Sequence, residues 1–254
     1  MARIALLGAT GSLGTHVARL AAEGGHDLSV FVRNPDRLTP EVAARAKLST
    51  GDLLQAGTAQ LGDFIAGQDV LVSCAGLVTD GQRFVQLVDH VVTACEALPM
   101  ERRPAVCWFL AGAGLLDLDP SGRRGLDLPK VRTTYWPHRA NFERLQRSGI
   151  AWRLLCPGPM VHGSAIGLQR LRVSIDRLPV PMPPWTSHLP AALALPFFAA
   201  RIPEMIVPYA DAAAFMLANI APGGPMARKR IGLALPPGMK GTKEHWAARP
   251  RAEA

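Results

Sequence analysis

Three glycines, Gly8, Gly11 and Gly14, stand at equal spacing between the apolar run "ARIALLGA" and a segment of helical periodicity, "HVARLAAEGG". A turn alone needs one glycine with positive φ. Three together, after a buried strand and opening a helix, suit a diphosphate. One permits the tight turn, one lets backbone N–H groups approach the phosphates, and one lets helix and strand pack closely. The N-terminus of that helix adds free N–H groups and the positive end of its dipole. The expected cradle is therefore Gly8, Thr10, Gly11, Ser12, Leu13 and Gly14, with a G-x-x-G-x-x-G spacing one residue wider than the ordinary dinucleotide fingerprint. About 20 residues further on, an NAD site usually carries an acid for the ribose hydroxyls. Here "FVRNPDRL" puts Arg33 at that point. A guanidinium favours a 2′-phosphate through paired, charge-assisted hydrogen bonds, so NADP is expected, with NADPH preferred over NADH. The plainer reading of Arg33 is a solvated strand end.

The elements that must hold such a site alternate along the chain. "DLSVFVR", the weaker "AKLSTGD", "DVLVSCAG", "PAVCWFLAG" and "IAWRLLCPG" read as strands. "TAQLGDFIAG", "FVQLVDHVVTACEAL" and "HRANFERLQRSG" read as helices. This rhythm predicts an α/β fold with a doubly wound parallel sheet covered on both faces. After Pro157 the alternation stops and prolines become dense ("LPVPMPPW"), before a late helix "YADAAAFMLANI" and a closing strand "KRIGLAL". The expected organisation is one domain over residues 1–240. Within it, residues 161–208 form a substrate-side insertion above the carboxyl ends of the strands, and residues 241–254 form a mobile tail. Met182, Trp185, Leu189, Phe197 and Phe198 of the insertion could wall an apolar pocket or simply seal the core.

Apolar residues make up 48 % of the 254, which supports a packed core rather than disorder. The net charge of +8 suits an anionic partner, but no long basic run with interleaved aromatics marks a nucleic-acid binder. No uninterrupted apolar stretch is long enough to span a membrane. The N-terminal apolar run is too short for a secretory leader. Cys74, Cys95, Cys107 and Cys156 are far apart, without a C-x-x-C pair, so buried free thiols and a cytoplasmic location are expected. No histidine pair has metal-ligand spacing, and no metal is expected.

With these motifs together, the chain resembles the atypical short-chain dehydrogenase/reductases, nearest the NmrA-like and flavin reductase/biliverdin reductase B-like NAD(P)H-binding proteins. The resemblance rests on "GATGSLG", "VRNPDRL", "GDL", "DVLVSCAG", "ERLQRSGIAWRLLCPGPM" and "YADAAAFML", and spans roughly Ala2 to Leu235. It implies a Rossmann fold. It also implies that Asp52 and Leu53 lie beside the adenine, and that Cys74, Ala75 and Gly76 run along the ribose and phosphates. Pro157, Gly158 and Met160 would then approach the nicotinamide. Standard members use Tyr-x-x-x-Lys with a serine after the fifth strand; the tyrosine donates a proton as hydride arrives. Here the aligned pair is Tyr135 and Arg139, and the serine position reads Ala111-Gly112. Arginine can hold a ribose hydroxyl but, as a permanent cation, cannot relay a proton. Pro137 fits only a first helical turn, so Tyr135 is expected at or before a helix start. His138 is the other candidate, at a position resembling the flavin-reductase branch; His162 could also face a substrate.

The resulting expectation is an NADPH-dependent oxidoreductase acting on a hydrophobic carbonyl, quinone, flavin or enone, as a monomer or homodimer. The alternatives are a non-catalytic NADP-binding sensor of NmrA type and an epimerase- or dehydratase-like enzyme that retains its cofactor.

Overall fold

A computed structural model describes residues 1–76 and 78–242. Strand β1 (Arg3–Leu7) is buried along four of its five residues and runs straight into the glycine turn. Helix α1 (Ser12–Glu23) buries Leu13, Val17, Ala18 and Ala21 at helical spacing. It stops at Gly24-Gly25, where Gly25 takes the positive φ that ends a helix without steric cost. The alternation continues through β2 (Asp27–Val32), α2 (Pro40–Arg45), β3 (Lys47–Thr50), α3 (Thr58–Ile65), β4 (Val70–Ser73), α4 (Gly81–Ala97), β5 (Val106–Leu110), α5 (Val131–Arg147) and β6 (Trp152–Leu155). After it come β7 (Met160–Val161), β8 (Arg172–Ile175), α6 (Ala191–Ala199), β9 (Val207–Pro208), α7 (Tyr209–Ala218) and β10 (Arg230–Ala234).

The main sheet has the order β3-β2-β1-β4-β5-β6-β10-β8, parallel except where β8 runs antiparallel to β10. Helices α3, α4 and α5 cover one face over Phe31, Leu71, Phe109 and Leu154. Helices α1 and α7 cover the other over Leu6, Val30, Val72, Trp108 and Ile231. The doubly wound expectation therefore holds. The connections leave β1 in one direction and β4 in the other, so a crevice opens at their carboxyl ends, where such sheets take ligands. Among the described residues no helix is long and apolar enough to cross a membrane, and all four cysteines are free.

The Pro-rich segment differs from expectation. Residues Arg172–Ile175 join the sheet as its edge strand, and Ala191–Ala199 form a helix. Of the residues left open between pocket wall and core seal, Met182 and Phe198 are buried in the main core. Trp185 is exposed and packs edge-on against Phe197. Two arginines pin this region. Arg123 donates to the carbonyls of Thr186 and Leu189 at 2.6 and 2.7 Å. Arg230, itself buried, reaches the Leu115 carbonyl and both Asp117 and Asp176. Of the expected tail, Gly241 still donates its N–H to the Pro203 carbonyl at 2.8 Å. Residues 243–254 lie outside the described residues.

Helix α5 begins at Val131, about two turns earlier than its periodicity suggests, and is broken at Tyr135 (φ −110°, ψ 18°). Pro137 explains the break: it has no N–H to donate, and its ring excludes the carbonyl four residues back.

Candidate NAD(P)-binding site

The three cradle glycines have three separate structural reasons. Gly8 has φ +80°, and a side chain there would meet the Ala75 nitrogen at 2.7 Å. A side chain on Gly14 would strike the Gly8 carbonyl, so its absence lets α1 sit against the end of β1. Gly11 is different. Its φ −80° and ψ 167° suit any residue, and the one protein atom near an added Cβ is the Gly8 oxygen at 3.3 Å. Among the described residues, nothing else lies within 4 Å of that Cβ. It caps α1 without a side-chain hydrogen bond, and the first helical bond runs from the Thr15 N–H to its carbonyl at 2.9 Å. The N–H groups of Ser12, Leu13 and Gly14 precede that bond and have no partner within the helix.

This helix end faces a cleft of about 1030 Å³. Of the expected cofactor residues, Gly8, Thr10, Gly11, Ser12, Arg33, Asp52, Leu53, Cys74, Ala75 and Gly76 line it together. Arg33 is 71 % exposed and stands 3.9 Å from Asp52. Arg37, missed in the sequence, lines the same wall. The Asn34 side chain accepts from the Asp36 N–H at 3.0 Å and fixes the 3-10 turn Pro35–Arg37 that places it there. Opposite, Gly76 (φ +124°) leaves room for the Phe84 ring, while Asp80 and Arg83 bring the start of α4 to the rim. Burial pushes the Cys74 thiol up to about 12, so it contributes surface rather than a thiolate. His162 and the unforeseen His16 close the cleft beside α1.

The remaining expected residues lie outside this cleft. Leu13 and Gly14 are buried in the first turn of α1. Ala111 follows β5. The Pro157 carbonyl accepts from the Ala113 N–H at 2.8 Å, Gly158 packs on Met205, and Met160 pairs with Val207. These form a floor across the ends of β5 and β6. Next to it stand Tyr135 and His138, their rings stacked with centroids 6.0 Å apart, and Phe84 meets the imidazole edge-on at 5.7 Å. The imidazole lies against Gly112, where an added Cβ would be 3.3 Å from Nε2. Burial pushes His138 down to about 4, and its Nδ1 has no partner among the described residues, so the ring is neutral near pH 7. Arg139 is not free: Asp127 accepts from its guanidinium at 2.5 Å. Tyr135 and His138 are thus together, but Arg139 is turned to a carboxylate rather than to the cleft.

The residues present fit a dinucleotide. An uncapped helix N-terminus meets open space at Gly11, and the guanidinium-bearing Arg33 and Arg37 line the same cleft.

The chain matches the family described as NAD(P)H-binding over residues 8–177. Among solved structures, a Burkholderia pseudomallei protein is 22 % identical with a TM-score of 0.68, covering 92 % of this chain and 100 % of that one. An anaerobillin reductase from Escherichia coli O157:H7 is 17 % identical with a TM-score of 0.62, covering 94 % and 99 %. A short-chain dehydrogenase/reductase from Veillonella parvula DSM 2008, in complex with NADP, is 15 % identical with a TM-score of 0.64, covering 94 % and 97 %. At such identities these structures share the fold. The match over two thirds of the chain, on the segment that builds the cradle and the cleft, makes this protein a member of the NAD(P)H-binding family.

Proposed function

We propose that the protein is an NADPH-dependent oxidoreductase that transfers hydride to a hydrophobic carbonyl, quinone, flavin or enone. The observation that carries this reading is Gly11: a residue that no described neighbour requires to be glycine, facing the open end of a helix across a cleft of dinucleotide size. In this reading the amides of Ser12, Leu13 and Gly14 hold the diphosphate. Arg33 and Arg37 take the 2′-phosphate, with Asp52 and Leu53 beside the adenine and Cys74 to Gly76 along the ribose. When bound, the nicotinamide supplies the hydride. Ala111 and the Pro157–Met160 turn form the floor beneath it, and Tyr135 and His138 form the side wall.

The neutral His138 and the Asp127-bound Arg139 leave no charged proton relay in that wall. The rate then comes mainly from placing an acceptor over the nicotinamide, which suits acceptors that are easily reduced. Residues 161–208 are assigned to the substrate side through α6 and the Trp185–Phe197 pair. The test is NADPH consumption with a panel of quinones, flavins, enones and aldehydes.

One observation favours a second reading. With Ala111-Gly112 in place of a serine and Arg139 tied to Asp127, the chain lacks the usual catalytic trio and could act as an NADP-binding regulator. Tight NADPH binding with no turnover across the panel would select that reading.

A further inference from the structure

We propose that His16 and His162 form a proton-dependent anion subsite beside the cradle, which holds the diphosphate of the dinucleotide more tightly when an imidazole is charged. This rests on the dinucleotide reading above.

His16 lies one helical turn beyond Ser12, and side chains on a helix lean toward its N-terminus, here toward the cradle. His162 comes from the opposite side, just after β7, and both rings line the cleft. Their centroids are 6.2 Å apart, and each packs on Tyr209, the first residue of α7, at 6.2 and 5.0 Å. The Nδ1 of His16 is buried with no partner among the described residues. A histidine that serves packing alone usually gives a ring nitrogen to a carbonyl or carboxylate. Here the surrounding acids are already engaged. Asp211 of α7 accepts the Ile166 and Gly167 amides at 2.8 and 2.9 Å. Glu23 of α1 is bound to Arg19 at 2.8 Å. Across the cleft Asp52 stands with Arg33, and Asp80 with Arg83. From α2, Arg45 is held by the Ala22 carbonyl.

What acts on His16 is burial, then Arg19, then His162, and all three lower its affinity for a proton. The cluster therefore offers a protonated imidazole no counter-charge of its own. A diphosphate in the cradle would supply one. Binding would then raise an imidazole pKa and take up a proton, so affinity rises as pH falls through the imidazole range and the gain is complete below the free-state pKa. Each unit of that rise corresponds to about tenfold in affinity.

The test is NADPH binding, by calorimetry from pH 8 to pH 5.5, in the natural protein and in the His16→Gln, His162→Gln double variant. The 2′-phosphate of NADPH also titrates in this range, but it does so equally in both proteins. The natural protein should gain up to about tenfold more affinity on acidification than the variant. In parallel, NMR titration of the two imidazoles in the natural protein should show at least one pKa rising when NADPH is added. Equal pH slopes in the two proteins, or imidazole titrations indifferent to NADPH, would overturn the subsite while leaving the cofactor reading intact. Absence of NADPH binding at every pH would sink both. Should the double variant fail to fold, the NMR titration decides alone.

Discussion

Replacing Gly11 by valine separates a binding glycine from structural ones. At Gly11 the backbone already has extended dihedrals, and the added Cβ meets only the Gly8 oxygen at 3.3 Å, a contact relieved by a few tenths of an ångström. The loss of a favoured N-cap residue costs stability, while the stiffer unfolded chain returns part of it, so the net change should stay within about 1 kcal/mol. Binding should suffer far more. The branched side chain fills the space before the α1 amides, and a diphosphate forced outward loses its hydrogen bonds to two of them, Ser12 and Leu13. Charge-assisted bonds are worth about 1.5–3 kcal/mol each, so the loss is about 3–6 kcal/mol, or roughly 10²- to 10⁴-fold in Kd. Calorimetric titration with NADPH reads the affinity, and a thermal melt reads the fold. Gly8→Ala and Gly14→Ala serve as contrasts: both place a Cβ against backbone atoms, and both should lower the melting temperature. The reasoning fails if Gly11→Val binds NADPH within threefold of the natural protein while melting at the same temperature.

Three further predictions concern the rest of the site. Arg33→Asp removes a phosphate partner and adds a repulsive charge, so the ratio of NADPH to NADH affinity should fall by at least tenfold; an unchanged ratio in paired titrations would show that Arg33 does not read the phosphate. His138 has a folded-state pKa of about 4 against an ordinary 6.5, so its contribution is intact above pH 6.5 and lost as pH falls toward 4, approaching ~3 kcal/mol. Melting curves should therefore diverge in acid, with His138→Gln less acid-sensitive than the natural protein; parallel curves would contradict the neutral buried imidazole. Tyr135→Phe should reduce turnover of an easily reduced acceptor by less than ~100-fold, and a larger collapse at unchanged NADPH affinity would make the tyrosine a true proton donor.

The parallel strands were legible because burial on both faces makes them continuous apolar runs: "IALL", "LVS" and "CWFL" contain almost nothing that water would accept. The edge strand β8 was not. Three of its residues are half-buried and Val173 is exposed, and they become a strand by pairing with β10, more than fifty residues away in sequence. Helix α6 was hidden for the opposite reason: nine apolar residues in a row have no polar face to mark a period. The cradle could be read because it is local, one turn between two adjacent elements. His16 could not, since it meets His162 and Tyr209 only in the folded chain. The four-residue spacing from Arg33 to Arg37 would have exposed Arg37 had Asn34-Pro35 been read as the start of a 3-10 turn.

The same distinction bears on the chemistry. The missing serine and the buried histidine look like two unrelated departures in the sequence, yet they occupy one place in the fold. His138 reaches this place because the break at Tyr135 resets α5 just before Pro137, turning the next residue inward against Phe84. Its ring then fills the volume in front of Gly112, where any side chain would approach Nε2 to 3.3 Å. A serine there and a histidine here would compete for that space. The chain has the imidazole without the hydroxyl, and desolvation keeps the imidazole neutral. A neutral ring has one N–H donor and one acceptor nitrogen, and its buried Nδ1 has no partner among the described residues. In the proposed hydride transfer such a ring would help by shaping the place of the acceptor rather than by giving up a full charge.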